Sequence, residues 1–127
     1  DHVDMVFANE DEAAAFTQLH PSQSEQSVQI LNELCETAVV KLGAKGSLIA
    51  KDNRVIHSKA VPVKDVIDTT GAGDFWAAGF LHGWANNKSI ENSAQFGALM
   101  GAFVIQNHGG TLSQHQWDAI LKSIQAT

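Results

Sequence analysis

The sequence has 127 residues, of which 44% are hydrophobic, and its formal net charge at pH 7 is −6. This length and composition predict one globular domain with a hydrophobic core. The eight Lys and Arg residues are scattered along the chain, whereas nucleic-acid and membrane-surface partners require clustered positive charge, so both partners are excluded. The longest apolar run, residues 96–105, is too short to cross a bilayer.

Cysteine and histidine usage argues against a disulfide framework or a zinc site. Cys35 is the single cysteine, which indicates a reducing, cytoplasmic location. Because Cys35 falls in an apolar helical pattern, we expect a buried core thiol. None of the six histidines has the H-E-x-x-H spacing or another zinc-ligand spacing.

The first half of the chain alternates short apolar segments with helical patterns. The predicted elements, in chain order, are a strand at 2–8, helices at 12–19 and 27–35, and strands at 38–42, 47–51 and 54–57. In the second helix Val28, Leu31 and either Leu34 or Cys35 should face the core.

Two short motifs in this half have ordinary structural explanations. Asn9 is a good N-cap, and the acids at 10–12 suit the first turn of a helix, so a metal role is the less favoured alternative for them. The glycine-rich segment 43–46 is typical of a tight turn between two strands.

The second half is predicted to be mainly helical. A β-branched pair at 66–67 predicts a short strand, and helices should follow at 74–85, at 89–107, and after a capping box that begins at Ser113. The pair Gly97 and Gly101, spaced i, i+4, indicates a close contact between helices. Strands alternating with helices predict an α/β layered fold with a mostly parallel sheet and ligand loops at the strand ends.

The segment Asp68-Thr69-Thr70-Gly71-Ala72-Gly73-Asp74 indicates an anion site. Gly71, Ala72 and Gly73 would place small side chains and accessible N–H groups at a helix N-terminus, which favours phosphate. Asp74, in the first turn of that helix, is placed to take a proton from an attacking hydroxyl. The combination suggests phosphoryl transfer to an alcohol.

Simpler explanations of the same segment stay open. Asp68 could be a turn residue, Asp74 an ordinary first-turn carboxylate, and the glycines a tight turn. Two other nucleotide motifs are excluded by spacing, because Trp76 stands where the third glycine of G-x-G-x-x-G would be and no segment fits G-x-x-x-x-G-K-[ST].

Residues 68–81, DTTGAGDFWAAGFL, resemble the C-terminal signature of the PfkB family of carbohydrate and nucleoside kinases, the ribokinase-like group. The resemblance implies a ribokinase-like layered α/β/α fold and transfer of the γ-phosphoryl of ATP to a hydroxyl of a sugar or nucleoside. It also implies that residues 1–127 are the C-terminal nucleotide-binding and catalytic part of a longer domain. The N-terminal acceptor and lid part would be absent, so the segment alone should be inactive.

Site roles follow from the resemblance at each matching position. It implies a catalytic base at Asp74 and an anion hole at Gly71, Ala72 and Gly73. It places Lys41, Gly43 and Gly46 near the ATP phosphates or ribose. Asn9 and Glu12 match an N-x-x-E motif whose Glu acts on magnesium through water. The resemblance leaves open a potassium-like cation site formed by Asp68, Thr70, Val104, Gly109 and Ser113. Helix capping is the default role of Ser113.

The expected partners are therefore ATP with Mg²⁺, a small sugar or nucleoside acceptor and, for the full-length protein, a second copy in a homodimer. The sequence does not specify which acceptor is used. An alternative from another class is a nucleotide-binding or assembly module without catalysis, against which the intact Asp74 argues.

Overall fold

The computed structural model describes residues 3–107, 109 and 112–125, in two compact units within Asp1–Ala60 and Val61–Thr127. The described part of the first unit contains four strands and two helices. In chain order these are β1 (Val3–Asn9), α1 (Glu10–Thr17), α2 (Ser24–Leu34), β2 (Cys35–Lys41), β3 (Ser47–Lys51) and β4 (Arg54–Ser58). Short 3₁₀ turns at Pro21–Gln23 and Gly43–Lys45 connect α1 to α2 and β2 to β3.

The four strands form one mixed sheet in the order β1-β2-β3-β4. β1 and β2 are parallel, because the connection between them contains α1 and α2 and is long enough for a crossover. The other two pairings are antiparallel, so the expectation of a mostly parallel sheet is wrong for these strands. Asp52 and Asn53 explain one of them, since both adopt positive φ (52° and 60°) in a two-residue hairpin turn.

One face of this sheet and the two helices enclose a hydrophobic core. Val28 and Leu31 of α2 are buried as predicted, and they pack against small and β-branched strand residues such as Ala38 and Val40. Leu34 is 60% exposed, so this alternative for the inward position is wrong. The physical reason is that α2 ends at Leu34.

Cys35 is buried, as expected, but it begins β2 instead of ending the helix. Its thiol lies 3.2 Å from the carbonyl oxygen of Leu31 and 3.3 Å from that of Thr37. Burial raises the pKa of the Cys35 thiol, and hydrogen bonding with the backbone of Thr37 and Val6 opposes this rise. The residue is therefore a protonated core thiol at neutral pH.

The residues described in the second unit form three helices, α3 (Ala72–Ala85), α4 (Ile90–Val104) and α5 (Gln114–Gln125). Glycines allow α3 and α4 to pack closely. A Cβ added at Gly79 would lie 2.5 Å from the carbonyl oxygen of Phe96, and one added at Gly97 would lie 2.8 Å from the ring of Trp76. Phe96, Met100 and Ile120 are buried at the contact of α4 with α5.

No strand forms at 66–67, so that prediction is wrong. Val66 and Ile67 are 57% and 51% exposed. The N–H groups of Ile67 and Asp68 both donate to the carbonyl oxygen of Ile105, at 2.8 and 3.1 Å. This segment therefore satisfies its backbone at the end of α4 instead of in a sheet. Among the described helices, none has the length and apolarity that crossing a membrane would require.

Candidate active site

The start of α3 is formed by a left-handed glycine. Gly71 has φ 77° and ψ 0°, a conformation that favours glycine, and its carbonyl oxygen accepts the N–H of Phe75 at 3.0 Å. The N–H of Ala72 donates to the carbonyl oxygen of Thr69 at 3.1 Å. These contacts turn the chain sharply into the helix.

This turn leaves several backbone donors at the helix start. In the part of the chain that the structure describes, the N–H groups of Gly71, Gly73 and Asp74 make no hydrogen bond, and Gly71 provides no side-chain cap. Unpaired N–H groups at a helix N-terminus favour an anion. Of the three residues predicted to form the anion hole, Ala72 differs because its N–H already has the Thr69 acceptor.

Asp74 is the third residue of α3, and its side chain is exposed. Among the described residues its carboxylate makes no hydrogen bond or salt bridge. A carboxylate at this helix position commonly reaches back to the N-cap backbone, and Asp74 does not. The carboxylate is therefore available to a ligand rather than used as a helix cap.

Asp68 ties the loop before α3 to the turn after α4. One carboxylate oxygen accepts the N–H of Thr70 at 2.9 Å and the hydroxyl of Thr70 at 2.6 Å. The other oxygen accepts the N–H of Gly109 at 2.9 Å, across 41 positions of sequence. Three of the five residues predicted for a monovalent cation thus lie in one hydrogen-bonded group.

The other two residues of that set have local roles at helix ends. Val104 is the buried last residue of α4, and its carbonyl oxygen accepts the N–H of Asn107 at 3.1 Å. Ser113 caps α5, since its hydroxyl accepts the N–H of Gln116 at 3.2 Å and its own N–H donates to the Gln116 side chain at 2.7 Å. The capping box predicted for Ser113 is therefore present.

In the first unit, Asn9 and Glu12 form a capping box at the start of α1. The side-chain oxygen of Asn9 accepts the N–H of Glu12 at 2.8 Å, and Oε1 of Glu12 accepts the N–H of Asn9 at 3.1 Å. The Glu12 side chain is exposed, and its other carboxylate oxygen, Oε2, takes no part in the capping box. Within the described ranges, no group of three or more His, Cys, Asp or Glu side chains is placed to hold a metal ion.

The turn that contains Gly43 and Gly46 lies at the same end of the sheet as Asn9. In the parallel pair β1-β2, Asn9 is the register partner of Lys41, so both lie at carboxyl ends of strands. Gly43 and Gly46 have φ of 61° and 96°, and Leu42 and Gly46 are joined by a 2.8 Å N–H···O bond. Asn9, predicted for the metal, and Lys41, predicted for the nucleotide, are therefore neighbours in the sheet.

The sequence patterns did not predict one contact of this turn, which involves His57. Nε2 of His57 on β4 lies 2.7 Å from the carbonyl oxygen of Lys45. The hairpin register, which pairs Leu48 with His57, was the signal that could have placed His57 near the turn.

Comparison of the chain with known proteins identifies its family. The profile of the pfkB family carbohydrate kinases matches residues 1–117. Adenosine kinase 2 of Arabidopsis thaliana is 31% identical over 122 residues, covering 87% of this chain and 35% of that protein. The chain belongs to the pfkB family of carbohydrate kinases. It spans about a third of the length of the curated relatives that it matches.

Solved structures of this family share the fold. Arabidopsis thaliana ribokinase complexed with ribose and ATP superposes with a TM-score of 0.82 at 29% identity, covering 94% of this chain and 41% of that one. Phosphofructokinase-2 from Escherichia coli in complex with potassium gives 0.81 at 25% identity, covering 98% and 42%. The ribokinase-like α/β fold implied by the resemblance is confirmed.

Proposed function

We propose that this chain is the nucleotide-binding and catalytic part of a kinase that transfers the γ-phosphoryl of ATP to a hydroxyl of a sugar or nucleoside. The observation that carries the proposal is the start of α3, where unpaired N–H groups adjoin a carboxylate, Asp74, that caps nothing in the described chain. Membership of a kinase family supports the same chemistry.

The proposed mechanism divides the work between backbone and side chain. A loose phosphoryl-transfer transition state gathers negative charge on its oxygens, so catalysis depends on positioning and neutralisation. The N–H groups at Gly71, Ala72 and Gly73 would offset that charge, with Ala72 exchanging its Thr69 acceptor for the phosphoryl. Asp74 would orient the acceptor hydroxyl and take its proton as the oxygen attacks.

The nucleotide would lie against residues of the first unit. We propose Lys41, Gly43 and Gly46 beside the ATP phosphates or ribose, and Asn9 with Glu12 beside the nucleotide's magnesium. When bound, magnesium would neutralise phosphate charge, and Glu12 would hold one of its waters. Support comes from the register of Asn9 with Lys41 and from the similar ribokinase, which was solved with ribose and ATP.

A monovalent cation is a further part of the proposal. The similar phosphofructokinase-2 was solved in complex with potassium. The candidate group in this chain joins Asp68, Thr70 and Gly109, with Val104 and Ser113 at the adjoining helix ends. Replacing potassium by a bulky organic cation at constant ionic strength should lower turnover, because such a cation cannot enter the group. Equal rates in both salts would contradict the site.

The experiment that tests the proposed function is a phosphorylation screen of the whole protein with ATP and magnesium. Adenosine, ribose, fructose 1-phosphate and 5-dehydro-2-deoxygluconate cover the substrate classes in the relatives' names. We expect one sugar or nucleoside to be phosphorylated by a cytoplasmic enzyme that works as a homodimer. ATP binding without phosphorylation of any acceptor would favour a non-catalytic nucleotide-binding module.

A further inference from the structure

The imidazole of His57 reaches from β4 to the turn that precedes β3. Its Nε2 lies 2.7 Å from the carbonyl oxygen of Lys45. A carbonyl oxygen only accepts hydrogen bonds, so Nε2 must carry the hydrogen in this contact. Of the side chains in the described residues, His57 is the one that hydrogen-bonds this turn.

An outside contact can restrict the backbone of this turn, because two of its residues are glycines. Gly43 and Gly46 both have positive φ, and glycine gives the free chain many alternative conformations. Within the turn, the N–H of Leu42 donates to the carbonyl oxygen of Gly46 at 2.8 Å, that of Lys45 to Leu42 at 3.2 Å and that of Gly46 to Gly43 at 3.1 Å. They leave the Lys45 carbonyl to His57.

A second contact from the same strand end supports this arrangement. A Cβ added at Gly46 would lie 3.0 Å from the carbonyl carbon of Ser58 and 3.1 Å from the backbone nitrogen of Ala60. The backbone just after His57 therefore passes directly against the turn. Two successive residues of β4 therefore contact the turn, His57 through its side chain and Ser58 through its backbone.

We infer that His57 is a positioning residue that holds the turn at residues 43–46 in the shape required for binding nucleotide. The inference rests on the proposed function, which places this turn beside ATP. A turn that is already ordered binds its ligand without losing further conformational freedom, so the imidazole contributes to affinity without contacting the ligand.

The test measures the Kd for ATP in the presence of magnesium, by titration calorimetry on the whole protein. His57→Phe keeps a flat ring and removes the donor, so the Kd should rise roughly 2- to 10-fold, the range expected for one hydrogen bond. His57→Gln restores a side-chain N–H and should return the Kd to the wild-type value. His115→Phe, at an exposed histidine of α5, is the matched control and should change nothing.

Further readouts separate positioning from general stability. Amide hydrogen exchange at residues 43–46 should quicken in His57→Phe and recover in His57→Gln, while the melting temperature and the KM for the acceptor stay constant. An unchanged Kd for ATP in His57→Phe would overturn the inference alone, as would a loss that His57→Gln does not rescue. Absence of ATP binding in the wild type would overturn the proposed function, and the inference with it.

Discussion

Asp74 and Glu12 occupy the same third position of their helices but have different hydrogen-bond partners. Glu12 completes a capping box with Asn9, so its orientation has a structural explanation. Asp74 follows a glycine N-cap that offers no side chain, and its carboxylate has no partner in the described residues. Sequence alone treats both as first-turn acids, whereas the structure separates an acid that stabilises a helix from one that is free for a ligand.

The magnesium role of Glu12 can be separated from its capping role by Glu12→Gln. The amide oxygen can still accept the N–H of Asn9, so the free energy of unfolding should change by less than about 0.5 kcal/mol. The loss of charge should raise the magnesium concentration for half-maximal activity by roughly 10-fold. Asp11→Asn, at the neighbouring exposed acid, is the control. The same magnesium dependence in wild type and Glu12→Gln would remove the proposed role.

Truncation of the buried Ser93 side chain is expected not to destabilise the protein. Its hydroxyl is buried between α3 and α4 and has no hydrogen-bond partner among the described residues. Ser93→Ala removes a desolvated polar group, so the free energy of unfolding should stay constant or rise by up to about 1 kcal/mol.

Ser27→Ala is the matched comparison for this prediction. Ser27 is equally buried, and its hydroxyl lies 2.8 Å from that of Thr17, which itself donates to the carbonyl oxygen of Ala13. Losing this bond should lower the free energy of unfolding by about 1 kcal/mol. Urea unfolding measures both variants, and an equal loss in the two would show that the Ser93 hydroxyl has a partner.

At the level of elements, local patterns predicted most helices and strands but not every boundary. Strand β3 and the Ser89 and Ser113 caps agree with the sequence, because alternation and capping are local signals. The helix-to-strand change between Leu34 and Cys35 was missed, since an apolar residue suits either element. The strand at 66–67 failed because its backbone found Ile105, a partner far away in sequence.

The contact of α3 with α4 predicts opposite effects for two glycines. Gly79→Ala would press a methyl group against the backbone of Phe96, at 2.5 Å from its carbonyl oxygen, so the free energy of unfolding should fall by roughly 1–3 kcal/mol. Gly101→Ala would meet its nearest atoms at 3.7 Å, an ordinary contact, and should stabilise by up to about 1 kcal/mol through helix propensity. Equal losses in urea unfolding would contradict this packing.

At the level of the whole molecule, the sequence predicted the α/β class but not the pairing of its strands. Pairing depends on turn geometry, and the left-handed Asp52-Asn53 turn reverses β4 on β3. The same limit applies to the site. The helix-start residues at 71–74 follow from local glycine chemistry, whereas the bond of Asp68 to Gly109 joins distant positions that only the family resemblance had grouped.

The central claim is that Asp74 is the general base of phosphoryl transfer, and Asp74→Asn in the whole protein tests it most directly. The amide keeps the shape of the side chain but cannot take a proton. Turnover with ATP and the acceptor that the screen identifies should therefore fall roughly 10²- to 10⁴-fold. The Kd for ATP and the melting temperature should stay close to wild type. Glu25→Gln, at an exposed first-turn acid of α2, should keep full turnover. Near-wild-type turnover in Asp74→Asn, or a loss that only follows a collapse of the melting temperature, would contradict the claim.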